Sequence, residues 1–478
     1  MKTIFTNIIL FLLVQNSFPQ NINIDKIDIL LKEFVEERFF SGVVLIGTSN
    51  EILYTKTIGF ADWEKQIPNE VSTNFNIASI GKVFTATLIM QLVENNVLSL
   101  DDAISKWLPE YNLPDSLTIF DVITHSAGTG NYMMHKHYDE RIVTMHSLDS
   151  VMNLVSEQIR NNPIHNGRFE YSNSGYIILG RIIEKATGHN YQETLQKFIF
   201  AKTNIKKSYI HHPATFIAPG EAIPYIPITK DCFLNDIDSE TPGFSDGGMQ
   251  SNVLDMYSFL SALLKNTMLT SETLGGMWEA RREVNNNSQM ALGWFIYNSQ
   301  GKELIGHNGG GRGFSSSIRI SKEDDLILIA VANTKTSTVD LLNGLFDLYK
   351  TGVCEIPEMY PQYKLMEIVN ERGINHISRN FSQVMLEINT PHSLKERDFV
   401  EWLYLLGRMK MEDELLVVFD LARKEFPENP SIWFSAIESL MNTDIRKAQE
   451  LFDVAVNRWE NNPYANYLQV KLNRNFKN

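Results

Sequence analysis

The strand-forming stretches of this sequence lie far apart, with helical stretches between them. Gly42-Val43-Val44-Leu45-Ile46-Gly47 is a short buried-strand pattern, Ser49-Asn50-Glu51 has turn chemistry, and Ile52-Leu53-Tyr54 returns. From Leu292 the pattern turns to strands again, with a second hairpin of Ser316–Ser321 and Leu326–Ala332 around the polar Lys322-Glu323-Asp324-Asp325. Between the two, apolar residues recur at helical spacing from Asn76 through Leu92, over Ser147–Ile159, over Ser174–Thr187 and over 252–264. Gly188 is placed to cap the third of these. A helix over Ile24–Phe39 precedes the first hairpin, and one over Asp340–Tyr349 follows the second. This pattern predicts one antiparallel sheet assembled from both ends of residues 24–350, flanked by helices and interrupted by a helical subdomain, an α/β (α+β) architecture.

Residues 351–362 contain Pro357 and Pro361 and read as a linker. From 363 to 478 the pattern is helical, with Ser393-Leu394-Lys395-Glu396 as a capping box. Phe419-Asp420-Leu421-Ala422 recurs as Phe452-Asp453-Val454-Ala455, Glu428-Asn429-Pro430 as Asn461-Asn462-Pro463, and Phe426 as Trp459, each 33 residues on. The spacing resembles the tetratricopeptide repeat, which implies an all-α C-terminal domain able to bind a protein partner.

The chain has 478 residues, enough for two or three cores. Lys and Arg number 43 against 57 Asp and Glu, a net charge of −14, which argues against nucleic acid as a partner. Met1-Lys2 and the apolar run Ile8–Val14, broken by Gln15-Asn16-Ser17-Phe18-Pro19-Gln20, read as a signal peptide over residues 1–20. As a helix that run spans about 10 Å, too short for a bilayer core, and no later segment is long enough either. The mature chain is therefore expected to be exported, periplasmic or secreted, without a membrane span. Cys232 and Cys354 make neither a disulfide scaffold nor a zinc site, and no cofactor or metal is expected. His211-His212 and the acidic run Asp236–Glu240 read as solvated loops, and His125 as a residue that fixes its loop.

Three short motifs carry chemistry. Ser79-Ile80-Gly81-Lys82 places a hydroxyl and an amine at i and i+3 where a strand-like stretch runs into a helix, so the two can meet. Tyr171-Ser172-Asn173 follows a glycine-containing loop and opens the next helix, and His307-Asn308-Gly309-Gly310 precedes the second hairpin. Each pattern has a second copy: Ser299–Lys302, Tyr464-Ala465-Asn466 and His165-Asn166-Gly167. Context separates them, because Ser299–Lys302 lies in a turn and Tyr464 in the helical repeat.

In that order the motifs resemble the penicillin-recognising serine hydrolases, and the class C β-lactamase-related branch in particular. Supporting stretches are Asn96–Asp102 with Trp107-Leu108-Pro109, Leu117–Gly128, Asn166–Tyr176 and Gly247–Ser251 with Asp255. The resemblance covers residues 25–350 and implies a β-lactamase/transpeptidase-like fold. It implies a serine hydrolase that forms an acyl-enzyme on Ser79, with Lys82 and Tyr171 as the other catalytic residues. Asn173, His307, Asn308, Gly309 and Gly310 are implied to bind substrate, with the backbone N–H groups of Ser79 and Gly310 as the oxyanion hole.

Lysine has an ordinary pKa near ~10.4 and tyrosine near ~10, so either base must be tuned to work at neutral pH. The family's β-lactamases usually carry a lysine where this chain has His307, a neutral residue through much of the physiological range. A phenolate at Tyr171 is then less supported, which favours Lys82 as primary base and Tyr171 as proton relay. The missing charge also shifts the expected small-molecule or peptide substrate towards an ester or amide, such as a D-amino-acid peptide, and away from carboxylate-bearing β-lactams. The rival reading is a catalytically inactive penicillin-binding-like sensor with a helical partner-binding tail. A pure binding module has no need of Lys82 beside Ser79.

Overall fold

The computed structural model describes residues 23–475 except 136, 162–166, 212–217, 230–231, 238–241, 312, 356–357, 389–393 and 461. The signal-peptide reading, His165, Asn166, His212, Pro357, Ser393, Asn461 and most of the 236–240 acidic run lie outside the described residues.

The two hairpins meet in one antiparallel sheet. Its strands are β1 (Gly42–Gly47), β2 (Ile52–Ile58), β3 (Arg282–Asn285), β4 (Ser288–Met290), β5 (Phe295–Ser299), β6 (Lys302–Gly310), β7 (Ser315–Ser321) and β8 (Leu326–Ala332). Their order is β3-β4-β5-β6-β7-β8-β1-β2, so β1 pairs with β8, with Gly42 opposite Ala332 and Gly47 opposite Ile327. Strand residues alternate between two faces. Val44, Ile46, Leu304, Leu328 and Ala330 pack under α1 (Ile24–Arg38) and a closing helix at Thr338–Thr351. Val43, Leu45, Ile305, Ile318 and Ile329 join the large core formed with the helical subdomain.

At the centre of that core lies α2 (Gly81–Glu94), which is buried all round over its first eleven residues, as its nearly uninterrupted apolar sequence requires. It starts later than the periodicity suggests. Ser79 sits in a separate 3-10 turn, Ala78–Ile80, ahead of the helix proper. The next helix to matter is α3 (Asn173–Thr187), opened by the Ser172 hydroxyl accepting from Gly175 N–H and closed by Gly188 at φ 71°.

Among the described residues, seven helices occupy the C-terminal region, beginning with Pro361–Arg372 and ending with Pro463–Asn475. The helix starts Glu412 and Ile445, and Pro430 and Pro463, repeat the 33-residue offset seen in the sequence. The helix at Glu396–Arg408 is capped two residues later than the expected box: Asp398 accepts from Lys395 N–H at 2.8 Å.

This region shares a core with the sheet domain. Phe39, Ile226 and Ile228 cluster with Tyr363, Leu365 and Met366, and the Phe39 and Tyr363 rings stand 5.1 Å apart. Ile226 and Ile228 belong to a hairpin, Tyr225–Thr229 with Cys232–Asn235. Asp236, expected in solvent, is fully buried just after it and pairs with Arg408 at 3.0 Å. An acidic residue is solvated only where nothing packs on it, and on Asp236 the C-terminal helices do. His211, also expected in solvent, is buried with its ring 3.8 Å from the Glu221 carboxylate. Both cysteines are free thiols.

Candidate active site

The three motifs converge on Lys82. Its side chain is buried, yet its Nζ reaches Ser79 Oγ at 3.1 Å, Asn173 Oδ1 at 2.8 Å and the carbonyl oxygen of Asp246. Three acceptors match the three donors of an ammonium. When the amine is neutral, two N–H groups still serve Asn173 and Asp246, and the lone pair is left for the Ser79 proton.

The turn bearing Ser79 is held under strain. Ala78 has φ 46°, a left-handed conformation that costs a non-glycine residue about 1–3 kcal/mol, and its N–H is tied to Asn76 Oδ1 at 2.9 Å. From the other side β6 presses on the same turn. A Cβ on Gly309 would lie 2.2 Å from the Ile77 carbonyl oxygen, so only glycine allows this approach. Ser316, paired with Gly309, donates its hydroxyl to that oxygen at 2.9 Å. Gly310 is exposed at the end of the strand.

Tyr171 packs over the amine, with Lys82 Nζ 5.0 Å from its ring centre. Its hydroxyl makes no hydrogen bond among the described residues. The His125 ring lies 4.4 Å from that of Tyr171, and His125 Nδ1 accepts from Ser172 N–H at 3.0 Å, so the ring fixes the backbone of the second motif. Asn173 Nδ2 faces Asn131 Oδ1 at 3.4 Å and Met133 Sδ at 3.7 Å.

His307 is buried, and its Nδ1 lies 2.7 Å from the Asn308 carbonyl oxygen. With that N–H donated, Nε2 is a free acceptor, and it has no protein partner among the described residues. Burial, reinforced by the Lys82 ammonium, pushes its pKa down to about 3, so the ring is neutral at physiological pH. The Asn308 side chain turns to the opposite face of the sheet. It accepts from Arg319 at 2.8 Å and Ser317 at 3.2 Å, and donates to the Tyr297 hydroxyl at 3.0 Å.

Two residues here were not found from the sequence. Arg319 is buried, lies over Gly306 and stacks on the Tyr297 ring at 4.1 Å. Its signal was a lone charge in the small and apolar strand Ser315–Ser321. Asp246 is a buried acid one residue before the Gly247-Gly248 pair, and its contact with Lys82 depends wholly on tertiary packing. Two of the motifs' second copies are engaged elsewhere. Ser299 and Lys302 face each other across a hairpin, bonded instead to Asp347 and Glu323, and Tyr464 donates to Glu438.

Comparison with known proteins identifies the family. The Beta-lactamase family matches residues 27–346. Penicillin-binding protein 4* of Bacillus subtilis is 25% identical over 336 residues, covering 65% of this chain and 71% of that protein. Teichoic acid D-alanine hydrolase of Staphylococcus aureus is 27% identical over 163 residues, covering 34% and 39%. The crystal structure of a penicillin binding protein from Bacillus halodurans superposes with a TM-score of 0.61 at 25% identity, covering 67% of this chain and 98% of that one. The chain belongs to the Beta-lactamase family and is a serine hydrolase.

Proposed function

We propose that Ser79 is the nucleophile of this hydrolase and that its preferred substrates are esters or amides, with D-amino-acyl derivatives foremost. The observation that carries the first part is the Lys82 amine between Ser79 Oγ and Asn173. Neutral Lys82 takes the Ser79 proton while Oγ adds to the substrate carbonyl. The oxyanion is held by the Ser79 and Gly310 N–H groups, and Gly309 lets the strand come close enough to supply the second. The proton on Lys82 passes to the leaving group through the Tyr171 hydroxyl, and the ester bond to Ser79 forms as the leaving-group bond breaks. Water then attacks the acyl-enzyme with the same residues as base, releasing the acid and restoring Ser79.

The substrate class rests on His307. A neutral ring with an open acceptor replaces a cation, so it receives a donor, such as a leaving-group N–H, better than it grips a carboxylate. The teichoic acid D-alanine hydrolase among the relatives, by its name, acts on a D-alanine derivative. Asn308 acts from behind, bracing the strand through Arg319 and Tyr297. The signal pattern over residues 1–20 supports export, and the repeat in 363–478 supports a helical region that adds a protein-binding surface to the hydrolase unit.

A substrate panel tests the reading: a chromogenic acetate ester, D- and L-alanine p-nitroanilides, and a chromogenic cephalosporin. Turnover of the ester and the D-anilide with little on the cephalosporin is expected. A cephalosporin preferred by kcat/KM would overturn the substrate assignment.

A further inference from the structure

Strand β6, which comes close to the Ser79 turn, ends in glycines. Gly309, Gly310, Gly311 and Gly313 are four of the five residues from 309 to 313, a backbone with wide conformational choice and few side chains of its own to pack. An oxyanion donor stabilises a transition state only where it is held in place beforehand. Part of the hold on this turn is internal. Gly311 N–H donates to the Phe314 carbonyl at 3.1 Å, and the Phe314 ring covers Gly311, where a Cβ would lie 2.3 Å from it. The rest comes from outside the turn.

Gly313 is buried, and a Cβ there would lie 2.7 Å from Pro224 Cβ and 2.9 Å from Tyr225 N. Its carbonyl accepts from Tyr225 N–H at 3.1 Å, a donor shared with the Asn333 carbonyl at 2.9 Å. Pro224 and Tyr225 lead into the hairpin whose Ile226 and Ile228 lie in the C-terminal core. The Pro224 carbonyl accepts from Asp236 N–H at 2.9 Å, and the Asp236 carboxylate is the one paired with Arg408. Direct contacts thus run from Arg408 through Asp236 and Pro224 to Gly313. A second route reaches the other side of the turn. Ser315, opposite Gly310 in the ladder, shares a hydrogen bond with the Thr338 hydroxyl at 2.7 Å, and Ser317 shares another at 2.9 Å. Three residues before Thr338, Lys335 pairs with Glu401 at 2.5 Å and lies 6.0 Å from the Tyr404 ring centre. Glu401, Tyr404 and Arg408 follow at spacings of three and four, on one face of the helix Glu396–Arg408. One helix face therefore reaches both sides of the turn.

We propose that this face of the helix Glu396–Arg408 braces the turn between β6 and β7, with Glu401 and Arg408 as positioning residues for the hydrolase reaction. This rests on the reading of the Gly310 N–H as an oxyanion donor given above. The C-terminal helices then act on catalysis without touching substrate. They keep a glycine-rich turn at the distance from Ser79 that Gly309 permits, so that its N–H is in place before charge develops.

The test compares full-length wild type, Gly313→Ala, Arg408→Met and Glu401→Ala, each checked for folding by circular dichroism. Two quantities are read on the folded proteins. One is kcat/KM for a chromogenic acetate ester. The other is the dissociation constant of phenylboronic acid, which adds to a reactive serine as an anionic tetrahedral mimic of the transition state. Gly313→Ala, which drives the turn against Pro224, is expected to weaken both by about tenfold or more, towards the ~10²–10³ that loss of one oxyanion donor costs. Arg408→Met is expected to weaken both by about tenfold, and Glu401→Ala by about threefold. A purely structural role lowers the folded fraction and leaves both quantities unchanged in the protein that is folded. Wild-type values in Gly313→Ala, or in both folded helix variants, overturn the proposal. If Arg408→Met does not fold, wild-type values in Glu401→Ala, whose ion pair is partly exposed, do so. A fall in kcat/KM with phenylboronic acid bound as tightly as before also overturns it, because the effect then lies outside the oxyanion turn. Failure of an active-serine fluorophosphonate to label wild type would instead overturn the Ser79 reading and remove the ground for this one.

Discussion

The neutral state of His307 makes the stability of the fold depend on pH. In the unfolded chain the ring titrates at its ordinary value near 6.5, and in the folded protein at about 3. The folded value is the lower one, so the unfolded state takes up the proton first as pH falls. The contribution is complete above about pH 6.5 and is lost progressively below it. One pKa unit corresponds to about 1.4 kcal/mol, so falling from pH 7.5 to 5 costs about 2 kcal/mol from this residue alone. His125, buried against Tyr171, adds a loss of the same sign. The raised carboxyls of Asp246 and Glu221 act in the opposite sense, so the variant comparison, rather than the raw slope, isolates the histidine. Urea unfolding followed by circular dichroism at pH 7.5, 6 and 5 gives the measurement for wild type and His307→Gln. Wild type is expected to lose about 2 kcal/mol more than the variant across that range. Parallel pH dependences would mean that His307 is protonated in the folded state, and the argument from a neutral third motif to an ester or amide substrate would fall with it.

Other consequences follow from single contacts. Gly309→Ala puts a methyl group against the Ile77 carbonyl, so β6 must draw back from the Ser79 turn, and labelling is expected to slow by about tenfold or more while circular dichroism is unchanged. Lys82→Met removes the proposed base without adding bulk, and covalent labelling at pH 7 is expected to fall by at least about a hundredfold. Arg408→Met removes the ion pair that Arg408 makes with the buried Asp236 carboxylate and is expected to cost about 2–3 kcal/mol in urea unfolding, while the double variant Asp236→Leu with Arg408→Met recovers most of that loss. No destabilisation by the single change would mean that the C-terminal helices do not rest on the hydrolase unit.

The sequence was most legible where local chemistry and tertiary position agree. Joining β1 to β8 follows from two apolar hairpins that cannot be buried separately, and Gly188 at the end of α3 needed only its own backbone freedom. The motif residues were legible as an ordered set, since the Lys82 amine requires an acceptor on each side and Ser79 and Asn173 supply two. Strands β3 and β4 were missed because Arg282–Asn285 is a partly exposed edge with mixed polarity, without clean alternation. Asp236 was misread because a local acidic run says nothing about Arg408, which lies 172 positions away in the chain. Arg319 and Asp246 belong to the same class: their meaning comes from Gly306 and Lys82 across the fold, and no short pattern contains both partners.

The central claim is that Ser79 forms the covalent bond. Intact-mass spectrometry after incubation with an active-serine fluorophosphonate, followed by peptide mapping, tests it directly. One adduct per chain is expected, on the peptide containing Ser79, with none on the folded Ser79→Ala variant. An adduct mapped to another serine, or full labelling of Ser79→Ala, would contradict the account.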